Sequence, residues 1–108
     1  MLEALFGNEN VERVLFYLLN NGDAYPRALA TSLGVSLSPI QKQLKRLEAG
    51  GVVASRLVGR TRVYQINPRF AFKAELEALL AKAFKALPEA QVRGIYSRRS
   101  RPRRQGKP

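Results

Sequence analysis

The stretch PRALATSLGVSLSPIQKQLKRL, from Pro26 to Leu47, is the feature that most restricts how this chain can fold. It reads as two short helices joined by a tight turn. Pro26 suits the first turn of the first helix, where its missing N–H has no partner to serve. That helix runs through Leu33 and stops at Gly34, which tolerates the positive φ of a tight turn. Two helices so joined approach closely, so the first needs a small residue at the crossing, and Ala30 supplies it. Leu29, Leu33, Val35, Ile40, Leu44 and Leu47 provide the apolar contacts of the pair. For the second helix two N-caps compete. Ser36 could cap directly, or Ser38 could cap with Pro39 at the first helical position and Gln41 reaching back in a capping box. The helix is expected over about 37–49, ending at Gly50-Gly51. This is the spacing of a helix-turn-helix.

The flanking sequence builds around that pair. Asn8 can cap a preceding helix over about 8–20, with Val11, Val14, Leu15, Leu18 and Leu19 on one face. The cluster Asn20-Asn21-Gly22-Asp23 ends it, and Ala24-Tyr25 reads as a very short strand. Two β-rich runs follow, 52–58 and 61–66, joined by Gly59-Arg60 in the pattern of a type II′ hairpin. In that register Val53 lies opposite Ile66, Ser55 opposite Tyr64 and Leu57 opposite Arg62. Asn67-Pro68 closes the hairpin, and a long helix is expected over about 69–87. Pro88 interrupts it, before a short helical piece to Tyr96. From Ser97 onward no apolar residue is present, so the tail cannot bury surface and is expected to be disordered. The expected architecture is mainly α with a small β-hairpin, an α+β winged helix-turn-helix with an additional C-terminal helix. Its parts are a 1–67 domain, a 68–96 helical extension and a 97–108 basic tail. No internal repeat is present.

Charge narrows the partner. The 108 residues carry 19 Lys and Arg against 8 Asp and Glu, a formal net charge of +11. That balance favours an anionic partner: DNA, RNA or an acidic membrane surface. Seven of the cations lie from Arg93 onward with no acid among them, so the excess in the body is mild. The position of the body's charges therefore matters more than the total. The chain has no Cys and no His. Disulfides, thiolate metal sites, thiol nucleophiles and imidazole bases are excluded. There is also no Gly-rich phosphate loop, no nucleophile with a base and no paired carboxylates, so no enzyme and no cofactor is expected. The first six residues are too short and insufficiently basic for a signal peptide. No apolar run approaches the roughly 18 residues of a membrane span. A cytoplasmic protein is expected.

On a helical wheel of 37–49, Leu37, Ile40, Leu44 and Leu47 share one side. Ser38, Lys42, Lys45 and Arg46 occupy the other, with Gln41 and Gln43 on the flanks. Lys and Arg can neutralise phosphates and reach guanine edges, and Gln can pair with adenine. Beside a helix-turn-helix, this cationic side predicts double-stranded DNA contact through the major groove. Arg56, Arg60 and Arg62 cluster about the hairpin tip. An Arg there can lie in the adjacent minor groove or on the backbone. Cations on an edge strand also serve to block aggregation, which is the plainer alternative.

The stretch from Asn8 to Asn67 resembles the ArsR-type winged-helix regulators of bacteria and archaea. It also resembles the winged-helix modules encoded next to nucleotidyltransferases. The matching residues are ALATSLGVSLSPIQKQLKRLEAGGVV and the hairpin SRLVGRTRVYQINP, a little over half the chain. The resemblance implies sequence-specific DNA binding as a homodimeric transcriptional regulator. Metal sensing in that family uses Cys and His ligands, which this chain lacks, and is not carried over. Dimerisation has separate support in the last long helix. There Phe72, Leu76, Leu79, Leu80, Ala83 and Leu87 form a broad apolar stripe, widened by Phe70 and Phe84. Pairing with a second copy, beside residues 1–6, would bury the surplus. Two alternatives stand beside this reading. One is a protein-interaction module, for example a partner of a nucleotidyltransferase. The other is RNA binding through the basic tail, which gains little from aromatics that sit mostly at core-like positions.

Overall fold

A computed structural model of the chain describes residues 1–89. The expected helical piece to Tyr96 and the 97–108 tail lie outside the described residues. Among the described residues, five helices and three strands follow in the order α1 (Glu3–Phe6), α2 (Glu9–Asn21), β1 (Asp23–Ala24), α3 (Pro26–Leu33), α4 (Leu37–Ala49), β2 (Val53–Val58), β3 (Thr61–Ile66) and α5 (Lys73–Lys85).

α2 is the central helix. Asn8 caps it, its Oδ1 accepting the Asn10 N–H at 2.7 Å. Val11, Val14, Leu15 and Leu18 are buried as the periodicity predicts, but so are Glu12, Phe16 and Tyr17. α2 is therefore covered on more than one side. Glu12 is 3% exposed, and its Oε1 accepts the Leu2 N–H at 2.9 Å and a bond from the Met1 amino group at 3.1 Å. A buried carboxylate is costly unless its oxygens are bonded. These bonds hold the α1 end of the chain against α2.

The helix-turn-helix forms as the sequence predicts. Gly34 ends α3 at φ 70°, in the left-handed region. There its own N–H reaches Thr31 O at 3.3 Å and the Val35 N–H reaches Ala30 O at 3.0 Å. That paired arrangement satisfies two carbonyls left open by the helix end and turns the chain sharply. Ser36 occupies the cap position of α4 in an extended conformation, without a side-chain cap bond. The Ser38 capping box does not form, because α4 already starts at Leu37. Pro39 then sits in the first turn, where the missing N–H has no acceptor to lose. Ile40 and Leu44 are fully buried.

The sheet is antiparallel in the order β1-β3-β2. β1 is Asp23–Ala24, one residue earlier than expected. The hairpin register is the predicted one, with Val53, Ser55 and Leu57 opposite Ile66, Tyr64 and Arg62. Gly59 takes φ 67° and no non-glycine residue has positive φ among the described residues, which is the pattern of a type II′ turn.

The last helix departs from expectation. It begins at Lys73, not near residue 69. Asn67 explains the delay. Its Nδ2 donates to Gly51 O at 2.9 Å while its Oδ1 accepts the Arg69 N–H at 3.0 Å. Turns then bond Phe70 N–H to Asn67 O and Lys73 N–H to Phe70 O, both at 3.0 Å. Those bonds commit the backbone to turns before a helix can start. Phe72 is consequently the N-cap residue of α5 and no part of its stripe. The stripe itself is divided. Leu80 and Ala83 are buried in the domain's own core, with Leu76, Phe84 and Leu87 partly buried against it. The Phe84 ring meets Phe16 edge-on, with centroids 5.7 Å apart. Phe72, at 63% exposure, and Leu79, at 37%, remain outside.

Candidate nucleic-acid interface

α4 presents Ser38, Gln41, Lys42, Lys45 and Arg46 to solvent while Ile40 and Leu44 anchor its other side. Gln43, expected on a flank, is buried, and its Oε1 accepts a bond from Arg46 Nη1 at 3.0 Å. Between α4, the start of α3 and β3 lies an open groove of about 440 Å³. Gln41, Lys45, Arg60 and Arg62 line it, joined by Tyr25 and Arg27. The lining contains four cations and no carboxylate. Arg27, Lys42, Lys45 and Arg60 take part in no ion pair among the described residues. Unneutralised guanidinium and ammonium groups around one concavity create a positive field directed outward. Tyr64 closes the groove's inner wall. Burial pushes its phenol above the usual tyrosine range, the Glu48 charge adds to this and the Arg62 charge opposes it. The phenol therefore stays protonated at neutral pH.

The three wing arginines are not equivalent. Residues alternate across a strand, so Leu57, its partner Arg62, and Ser55 lie on the face toward α4. Arg62 Nη1 donates to Ser55 Oγ at 2.9 Å. Arg56 lies on the opposite face, and its Nη2 stands 3.3 Å from Asp23 Oδ2. Of the eight residues expected to contact DNA, the structure gathers Gln41, Lys45, Arg60 and Arg62 around the groove. Ser38, Lys42 and Arg46 stay exposed on the same helix, and Arg56 stands apart. Two groove residues escaped the sequence reading. Arg27 carried a signal, being a cation in the first turn of the helix that Pro26 opens. Tyr25, 43% exposed, carried none, since its exposure depends on where β3 passes.

With that geometry in view, residues 8–54 match the family model for winged helix-turn-helix DNA-binding domains. The chain has the winged helix-turn-helix fold, and over those residues it is similar to DNA-binding domains of that kind. The match ends within β2, so the tip of the wing is identified by the structure. Similar solved structures extend the likeness. A homodimeric winged helix-turn-helix domain from Mycobacterium bovis, a possible ArsR-family transcriptional regulator, is 27% identical, with a TM-score of 0.60, over 82% of this chain and 80% of that one. A MarR family transcriptional regulator from Silicibacter pomeroyi is 22% identical over 78% of this chain and 60% of its own length, with a TM-score of 0.61. ZitR from Lactococcus lactis is 15% identical, with a TM-score of 0.61, over 73% of this chain. The chain spans about half of ZitR's length, 53%. No curated protein matches the sequence. The winged helix thus has structural neighbours among ArsR- and MarR-type regulators. Among the described residues, no three of Asp, Glu, His and Cys gather to hold a metal ion, and no helix is long and apolar enough to cross a membrane.

Proposed function

We propose that the chain is an ArsR-like transcriptional regulator that binds duplex DNA in a sequence-specific manner as a homodimer inside the cell. α4 enters the major groove with Ser38, Gln41, Lys42, Lys45 and Arg46 toward the DNA. Arg60 and Arg62 of the wing reach the flanking minor groove or backbone. The observation that carries the reading is the acid-free groove where Arg27, Lys45, Arg60 and Arg62 converge beside α4. Phosphate contacts position a protein on the duplex and base-edge contacts specify the sequence. Gln41 and Lys45 sit where both kinds of contact are in reach. Arg56 contributes less, since Asp23 already neutralises it. The protein-interaction and RNA-binding alternatives lack comparable support, because the matched family is DNA-binding.

For the homodimer, the support is exposed apolar surface. Phe72 and Leu79 near α5 and Leu5 on α1 are all exposed, and the similar Mycobacterium bovis domain is itself homodimeric. Two copies of α4 would meet half-sites one helical turn apart, about 34 Å. The basic residues from Arg93 onward would add phosphate contacts independent of sequence.

The test is Lys42→Ala combined with Lys45→Ala. The slope of log affinity against log salt should fall by roughly 2, one contact per lysine. Stability should change by less than about 0.5 kcal/mol, as for exposed substitutions generally. Unaltered affinity and slope would remove α4 from the interface.

A further inference from the structure

We infer that Glu48, Ser55 and Arg62 form a positioning relay by which the end of α4 holds a wing arginine ready for the DNA backbone. The inference rests on the DNA-binding reading above and assigns a role to two residues outside the contact set, Glu48 and Ser55.

Ser55 Oγ donates to Glu48 Oε2 at 2.7 Å, and the same oxygen accepts from Arg62 Nη1 at 2.9 Å. A hydroxyl has one proton and two acceptor positions. Once the Glu48 carboxylate takes the proton, the oxygen's lone pairs are turned away from Glu48 and are left for the guanidinium. Glu48 thus determines which way Ser55 presents itself, and Ser55 determines where Arg62 stands. The hairpin register makes this geometry available. Ser55 lies opposite Tyr64 and Leu57 opposite Arg62, so Ser55 and Arg62 are diagonal neighbours on the face toward α4. Tyr64, opposite Ser55 and two residues from Arg62, feels both the Glu48 and the Arg62 charge, in keeping with their closeness.

The bond to Ser55 occupies one of the guanidinium's five N–H donors, and the rest stay free for phosphate oxygens. Arg62 is itself exposed and lines the groove with Arg60 and Lys45. An arginine on a free hairpin would lose its rotamer freedom on binding, and holding it beforehand removes much of that loss. Glu48 belongs to the helix that enters the major groove, so the relay also ties the wing's position to that of α4. Arg56, on the other face, has no such link. Its partner Asp23 belongs to β1, away from α4. Glu48 and Ser55 are positioning residues that act through Arg62 and touch no DNA.

The experiment is a double-mutant cycle on the full chain, read by fluorescence anisotropy with a mixed-sequence DNA duplex. Ser55→Ala should weaken binding about threefold to tenfold, the effect of releasing one long side chain. The loss should vanish when Ser55→Ala is added to Arg62→Ala, and Ser55→Thr, which keeps the hydroxyl, should restore wild-type affinity. Arg62→Ala should lower the salt slope by about 0.9, whereas Ser55→Ala should leave it nearly unchanged, because the contact persists but is less ordered. An equal loss from Ser55→Ala with and without Arg62 would overturn the relay, as would no loss at all. A wild-type chain that fails to bind duplex would overturn the parent reading instead. The guanidinium N–H exchange of Arg62 in the free chain separates the two failures. It is slow in the wild type and fast in Ser55→Ala if the relay exists, and equal in both if it does not.

Discussion

α4 and α5 each run for 13 residues, and they divide their surfaces in opposite ways. α4 has its apolar needs met: Ile40 and Leu44 are sealed in the core, and apart from Pro39 and Ala49 what is exposed is Lys, Arg, Gln and Ser. α5 seals Leu80 and Ala83 but leaves Leu79 outside, with exposed Phe72 at its cap. One helix shows solvent a charged surface, suited to an anionic partner. The other shows it part of an apolar surface, suited to a partner that excludes water. On the proposed reading, nucleic acid falls to α4 and a protein surface to α5.

The division between the two helices has its largest expected consequence in the core. Leu80→Ala should destabilise the fold by about 2–5 kcal/mol, the range for deleting a buried leucine. Urea unfolding measures it. A loss under about 1 kcal/mol would mean that Leu80 faces a partner in solution. A smaller effect on stability is expected from Phe72→Ser with Leu79→Ser, within about 1 kcal/mol, as for exposed positions. Sedimentation should nonetheless show that pair as a monomer at concentrations where the wild type is a dimer. A persistent dimer would move the interface elsewhere, α1 included. The smallest change is expected from Asp23→Asn. An exposed pair such as Arg56–Asp23 contributes about 0–1 kcal/mol, so thermal stability should barely move. Freed from its carboxylate, Arg56 should instead raise non-specific duplex affinity slightly and steepen its salt dependence. If neither moves, Arg56 points away from DNA altogether.

The contrast between the two helices also accounts for what could be read in the sequence. α2, α3 and α4 are bounded by signals carried within a few residues: Asn8 as cap, Pro26 at a first turn, Gly34 with its positive φ. The hairpin is equally local, since Gly59-Arg60 determines both turn and register. The start of α5 is not local. It depends on Asn67 reaching back to Gly51, 16 residues away, a contact that exists only once the hairpin has folded. The choice between Ser36 and Ser38 as cap was open because both are competent in isolation, and only the entry of the chain from Val35 decides it. At the interface, the cationic side of α4 was legible from the wheel. The inequality of Arg56 and Arg62 was not, because it depends on which sheet face meets α4 and which carries Asp23 of β1. Arg27 carried a signal as a first-turn cation, but not its place in the groove, because two of its neighbours there, Arg60 and Arg62, are supplied by the wing, more than 30 positions along the chain.

DNA binding through α4 is tested most directly by amide chemical-shift mapping of the full chain titrated with duplex DNA. Large shifts are expected at 38–46 on α4, at 59–62 in the wing and at Arg27, with the exposed side of α5 from 73 to 85 unmoved. Shifts concentrated on α5, with α4 silent, would contradict it.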